Sequence, residues 1–253
     1  MVLGLINLIL FIIGLFLFLP KKIYKTKFSE YYQIFVSQIK YLLIIFGVVA
    51  FHLIEVNLLD SFFTDLIGVD FASSLELIED NVVYWFSQNW TPFLVYFCVM
   101  MYIAVYPFTL WFSPLYFLLT DNKKAMKTLA YGLLLIYVIA LPFYLFLPIT
   151  NVYTYYGIES ALETVVPSVE NFFYSTTTSN NCLPSLHVAM ALLIARSVSL
   201  TKNELYTYFT YFCAVSVIVS VIYLAIHWIT DVICGTVLAF SVFYLLKRFV
   251  KEE

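Results

Sequence analysis

Cys182-Leu183-Pro184-Ser185-Leu186-His187-Val188-Ala189 joins the most polar run of the chain, Ser175 to Asn181, to a long apolar segment. Proline is tolerated in the first turn of a helix, where its missing N–H would have no partner, so Pro184 reads as a helix start. Ser185 and His187 then stand at the positive end of the helix dipole. Unpaired N–H groups, a hydroxyl and an imidazole at one helix N-terminus make a place for an anion, above all a phosphate.

The surroundings of this stretch decide the class of fold. Of 253 residues, 63% are hydrophobic and 11% charged, and the mean hydropathy is +0.93. No soluble domain needs so apolar a surface, so the chain reads as an all-α polytopic membrane helix bundle, a single domain over 1–253 without internal repeats. A hydrocarbon core takes roughly 20 apolar residues per helix. Seven stretches qualify as transmembrane helices: 2–19, 36–56, 91–119, 128–149, 184–200, 206–226 and 229–247. Pro107 and Pro114 predict a kink or an early end in the third. The first lacks a basic leading region and a small-residue cleavage site, and reads as a retained helix rather than a signal peptide.

The charges orient these spans. All 13 Lys and Arg residues fall on one side of the seven-span arrangement: Lys21, Lys22, Lys25, Lys27, Lys40, Lys123, Lys124, Lys127, Arg196, Lys202, Lys247, Arg248 and Lys251. By the positive-inside rule that side is cytoplasmic, with the N-terminus outside and the C-terminus inside. Residues 57–90, 150–183 and the turn at His227 then lie on the outer face. The segment 57–90 is acidic, with Asp60, Asp65, Asp70, Glu76, Glu79 and Asp80. Within it, Ser73-Ser74-Leu75-Glu76 has the form of a capping box, and Leu75, Ile78, Val82 and Trp85 recur at helical spacing. This predicts an amphipathic helix on the outer membrane surface, a candidate lid or lipid entrance. Asn89-Trp90-Thr91 is a glycosylation sequon there, followed at once by Pro92.

Few side chains are equipped for chemistry. Cys98, Cys213 and Cys234 sit in apolar segments and no CxxC pair occurs, so neither a disulfide framework nor a metal site is expected. His52 reads as an interfacial anchor that can pair with Glu55. His227 and Asp231 are four apart and share a face wherever the segment is helical; such a carboxylate fixes the ring tautomer and frees the other nitrogen for attack. Ser220, two helical turns before His227, can share that face. The topology brings His187 and His227 to one membrane level, where ionisable groups are expensive and functional. Zinc held by Cys182, His187, His227 and Asp231 is conceivable by ligand type, but metal chemistry is not expected.

Two motifs carry a resemblance. Pro184-Ser185-Leu186-His187 resembles the Pro-Ser-x-His motif of the type 2 phosphatidic acid phosphatase superfamily. Ser220 to Asp231, followed by Val232-Ile233-Cys234-Gly235, resembles its Ser-Arg-x5-His-x3-Asp motif, and the resemblance covers about residues 90–250. It implies a six-helix phosphatase-like catalytic core over 91–250, with an extra N-terminal span and cytoplasmic basic loop over 1–30. It further implies that His227 attacks a lipid phosphorus to give a phosphohistidine, with Asp231 orienting it. His187 protonates the leaving oxygen and then deprotonates the acceptor, while Ser185 and Ser220 hold phosphate oxygens. The substrate is a phosphorylated or diphosphorylated membrane lipid and the acceptor is water or an alcohol, with no metal, cofactor or nucleic acid involved.

The chain departs from the pattern. Leu145 to Asn151 holds no basic residue where the motif Lys-x6-Arg-Pro should lie, Val221 stands for the Arg of the third motif and Leu186 for the usual Gly. Weakened basic motifs and the form Pro-Ser-Leu-His-Val-Ala are similar to the inositol phosphorylceramide synthase branch, which transfers a phospho-headgroup to an alcohol. The alternatives are a catalytically weakened lipid-binding protein and a transporter. A transporter predicts ionisable residues near the midplane and repeated halves.

Overall fold

A computed structural model describes residues 2–167 and 169–249. The chain is all-α. Its main helices are α1 (Val2–Phe18), α2 (Phe28–Ile67), α3 (Ala72–Glu79), α4 (Val82–Gln88), α5 (Pro92–Leu119), α6 (Lys123–Phe146), α7 (Leu186–Val198), α8 (Glu204–Tyr223) and α9 (Ile229–Phe249). Short helical turns, Val152–Tyr155, Ala161–Val165 and Val169–Phe173, lie between α6 and α7. Five helices, α2, α5, α6, α8 and α9, are long and apolar enough to cross a membrane, and α1 and α7 are shorter apolar helices.

Helix α7 packs on α6, α8 and α9. Its Ala189 and Ala195 are fully buried beside Val188, Leu193 and Ile194, and small residues at such positions let neighbouring helices approach. The outside of the bundle is apolar, with Leu5, Phe16, Phe46, Tyr208 and Phe240 exposed. Hydrocarbon suits such a surface better than water does.

The boundaries differ from expectation in ways that matter for the site. Helix α2 starts at Phe28 rather than 36 and runs 40 residues, about 60 Å and so about twice a hydrocarbon core. Lys40 therefore lies within the helix rather than at its start, its ammonium 4.9 Å from the centre of the Tyr41 ring. Helix α5 ends at neither Pro107 nor Pro114. A π turn, Met101–Val105, comes just before Pro107 and absorbs the gap left by its missing N–H. Lys251 lies outside the described residues.

Asp60 and Asp65 of the acidic segment lie in the end of α2, and the rest forms two short helices instead of one. Asp80, at φ 54°, breaks it between α3 and α4. The capping box at Ser73 does not form, because Asp70 does its work: Asp70 Oδ1 accepts the Ala72 N–H at 2.7 Å and the Thr150 N–H at 3.2 Å. The break also splits the apolar stripe. Leu75 is buried while Ile78 and Trp85 are exposed by 74% and 59%, and Val83 turns inward instead.

Pro184 likewise precedes its helix. Helix α7 begins at Leu186, with Ser185 as N-cap and its Oγ accepting the Val188 N–H at 3.5 Å. The backbone just before it is committed to distant partners. Tyr144 donates to the Pro184 carbonyl at 2.6 Å, and the Ser185 N–H donates to the Asp231 carbonyl at 3.0 Å.

Candidate active site

Helix α8 ends at Tyr223 because Ala225 takes a left-handed φ of 56°. The N–H groups of Ile226 and His227 then both donate to the Val221 carbonyl, at 2.9 and 3.0 Å. His227 consequently sits in a loop just ahead of α9, and the helical face it was expected to share with Ser220 does not exist. Ser220 is buried inside α8, donating to the Ser216 carbonyl at 2.7 Å.

The link between His227 and Asp231 takes another form. Asp231 is the third residue of α9, and its Oδ2 accepts the Trp228 N–H at 2.9 Å while lying 3.2 Å from His227 Nδ1. This is half of a capping box, turned to hold an imidazole. Glu79 satisfies the rest of the helix end: Oε2 accepts the Ile229 N–H at 2.8 Å and Oε1 the Thr230 N–H at 2.6 Å. The bond to Asp231 requires the proton on Nδ1 of His227, which leaves the lone pair on Nε2.

His187, the second residue of α7, faces this group. The two imidazole centroids are 6.1 Å apart. The Tyr102 hydroxyl lies 3.1 Å from His187 Nε2, and the Phe173 ring stacks on the imidazole at 6.4 Å. Tyr102 comes from the π turn of α5. The Ser185–Asp231 backbone bond ties α7 to α9. Gly235 allows that approach, since a Cβ there would lie 2.5 Å from the Ser185 carbonyl oxygen.

Both histidines line one cavity of about 400 Å³. Asn151, Thr176, Thr177, Thr178 and Asn181 give it polar walls, while Leu3, Ile45, Val49, Leu110 and Trp111 give it apolar ones. Buried oxygens of two of these, Thr178 Oγ1 and Asn181 Oδ1, have no hydrogen-bond partner among the described residues, the condition of groups that await a ligand or water. Neither Ser185 nor Ser220 is part of the wall. Ser220 Oγ donates to the Ser216 carbonyl and Ser185 Oγ accepts the Val188 N–H, each within its own helix. The first two N–H groups of α7 belong to Leu186 and His187, which do line it; a helix leaves these donors without an internal acceptor.

A scan against protein families matches residues 74–245 to the PAP2 superfamily. The chain belongs to that superfamily. Searches of curated proteins and of solved structures found no match. PAP2 membership implies phosphatase- or phosphotransferase-type activity on phosphate esters. The matched residues include both helix N-termini at the cavity and leave out α1 and α2, which add Leu3, Ile45 and His52 to its wall.

His52, expected as an interfacial anchor, thus belongs to the PAP2 cavity. Its Nε2 lies 3.0 Å from the Thr176 carbonyl and its Nδ1 3.5 Å from Glu55 Oε2. Glu55 is completely buried and accepts from the Tyr137 hydroxyl at 3.1 Å and Asn181 Nδ2 at 2.8 Å. All three histidines of the chain line one cavity. Cys182, His227 and Asp231 present one donor atom each within 4.8 Å of one another, a set able to hold a metal ion. Burial, with Asp231 and Asp70 nearby, raises the Cys182 thiol well above its usual range, and its sulfur donates weakly to the Ser179 carbonyl at 3.8 Å. Sequence reading missed Tyr102, Glu79 and the cavity position of His52. For Glu79 the signal was an acid at helical spacing from Leu75; for the other two there was none.

Proposed function

We propose that this PAP2 superfamily chain cleaves or transfers the phosphate of a membrane lipid phosphate ester through a phosphohistidine at His227. The observation that carries the reading is the 6.1 Å separation of the His187 and His227 rings across one cavity, with Asp231 Oδ2 3.2 Å behind His227. Two imidazoles so near each other can both reach one phosphate held at the cavity wall. His227 Nε2 attacks phosphorus, forming a P–N bond as the P–O bond to the lipid breaks, and His187 gives its proton to the departing oxygen. Water or an alcohol then loses a proton to His187 and displaces His227 from phosphorus. These three side chains complete both steps, and neither metal nor cofactor is needed. The α7 N–H groups, with Thr178 and Asn181, suit the phosphate oxygens, and the apolar walls suit acyl tails.

In this reading α1 and α7 cross the bilayer with the five longer helices, the basic residues face the cytoplasm, and the cavity opens outward to water and sideways to lipid. Transfer to an alcohol, as in the inositol phosphotransferases that the Pro-Ser-Leu-His form resembles, stands beside hydrolysis. Vesicles holding the purified chain, a phosphate-labelled lipid and a lipid alcohol separate the two. Free labelled phosphate marks hydrolysis and a new labelled lipid marks transfer, while lipid binding with neither leaves a binding protein and refutes the proposal. An acid-labile phosphoprotein is expected in the wild type and not in His227→Ala, and a chelator is expected to leave the rate unchanged.

A further inference from the structure

The site must attract an anion, yet among the described residues no Lys or Arg lines the cavity. Its three histidines are the lining groups able to carry positive charge. In the mechanism above, His227 attacks as a free base and therefore starts neutral, and His187 alternates between acid and base. His52 takes part in neither step.

His52 is paired with a buried carboxylate. The imidazole Nε2 lies 3.0 Å from the Thr176 carbonyl, while its buried Nδ1 has no hydrogen-bond partner among the described residues and lies at ion-pair distance, 3.5 Å, from Glu55 Oε2. A neutral imidazole with its N–H on Nε2 would aim the Nδ1 lone pair toward the buried carboxylate, whereas an imidazolium turns an N–H toward it. Glu55 points the same way. It is fully buried, and its other partners, Tyr137 and Asn181, are neutral donors. A carboxylate so placed calls for an opposite charge. Glu55 is thus a carboxylate at ion-pair distance behind an imidazole that borders the cavity.

On the mechanistic reading of His227 and His187 given above, we propose that His52, held by Glu55, is the phosphate-binding cation of this site. When a phosphoryl lipid enters, the imidazolium exchanges the Thr176 carbonyl for a phosphate oxygen. The charge comes from α2, outside the stretch matched to the superfamily.

The test uses the full chain in lipid vesicles, with lipid turnover as readout and inorganic phosphate as competing probe. His52→Gln keeps an N–H for Thr176 and removes the charge. It is expected to raise KM and weaken phosphate inhibition about tenfold, with a smaller effect on kcat. His52→Arg is expected to recover most of the phosphate affinity, which a packing role would not allow. Wild-type phosphate inhibition in His52→Gln, or equal losses in both variants, overturns the proposal. If His52→Gln fails to insert, Glu55→Gln is expected to show the same rise in KM, and unchanged phosphate affinity there overturns it equally. Absence of a phosphoprotein in the wild type would remove the reading of His227 instead.

Discussion

At the scale of the residue, the chemistry turns on where one proton sits. On the proposed mechanism Asp231 holds it on Nδ1 of His227 and compensates the charge that appears when Nε2 binds phosphorus. Asp231→Asn keeps an oxygen for the Trp228 N–H, so the protein should still fold. The lost charge and disturbed tautomer should lower the rate at saturating lipid by at least about 100-fold. His187→Ala should act selectively, slowing esters with poor leaving groups most. Rates across lipid phosphates of graded leaving-group basicity read this as a steeper dependence than in the wild type, and an unchanged slope removes the acid role. His187, His227 and Asp231 stood out in the sequence because ionisable residues are rare in so apolar a chain. His52 did not stand out as part of the site, since its place in the cavity depends on Thr176, which lies 124 residues further along.

At the scale of the element, the site is the meeting of two helix N-termini. Glu79 satisfies the first N–H groups of α9, and with Glu79→Ala these donors lose their acceptor. The loss should cost about 1–2 kcal/mol and reduce kcat by letting Asp231 drift, with Glu79→Gln, whose amide oxygen still accepts, recovering part of it. Thermal unfolding in detergent and the turnover rate measure the two effects. Gly235→Ala should push α9 away from the Ser185 backbone, destabilise the protein by about 1–3 kcal/mol and depress turnover; wild-type activity would show that the contact yields freely. Asp70 displaced Ser73 as the cap because one carboxylate oxygen serves both Ala72 and Thr150. The turn at Ala225 separated Ser220 from His227, and nothing in the spacing of the two residues announces that turn.

At the scale of the whole molecule, the distribution of Lys and Arg leads to a directional test. In a labelling experiment on intact cells, an impermeant thiol reagent should modify Glu159→Cys from outside and reach Lys123→Cys only after the cells are opened; the reverse pattern would invert the orientation. The all-α class, the apolar helices and the family were legible in the chain, because transfer of side chains from water to hydrocarbon is a property of composition and short spacing, which needs no partner. Tertiary structure alone decided that α2 brings a third imidazole to the cavity, that Tyr102 reaches His187 from a π turn, and that Ser185 and Ser220 spend their hydroxyls inside the helices. The reason is that most buried donors and acceptors find a partner in the fold. Which group supplies it depends on what packing brings near, often from more than a hundred residues away.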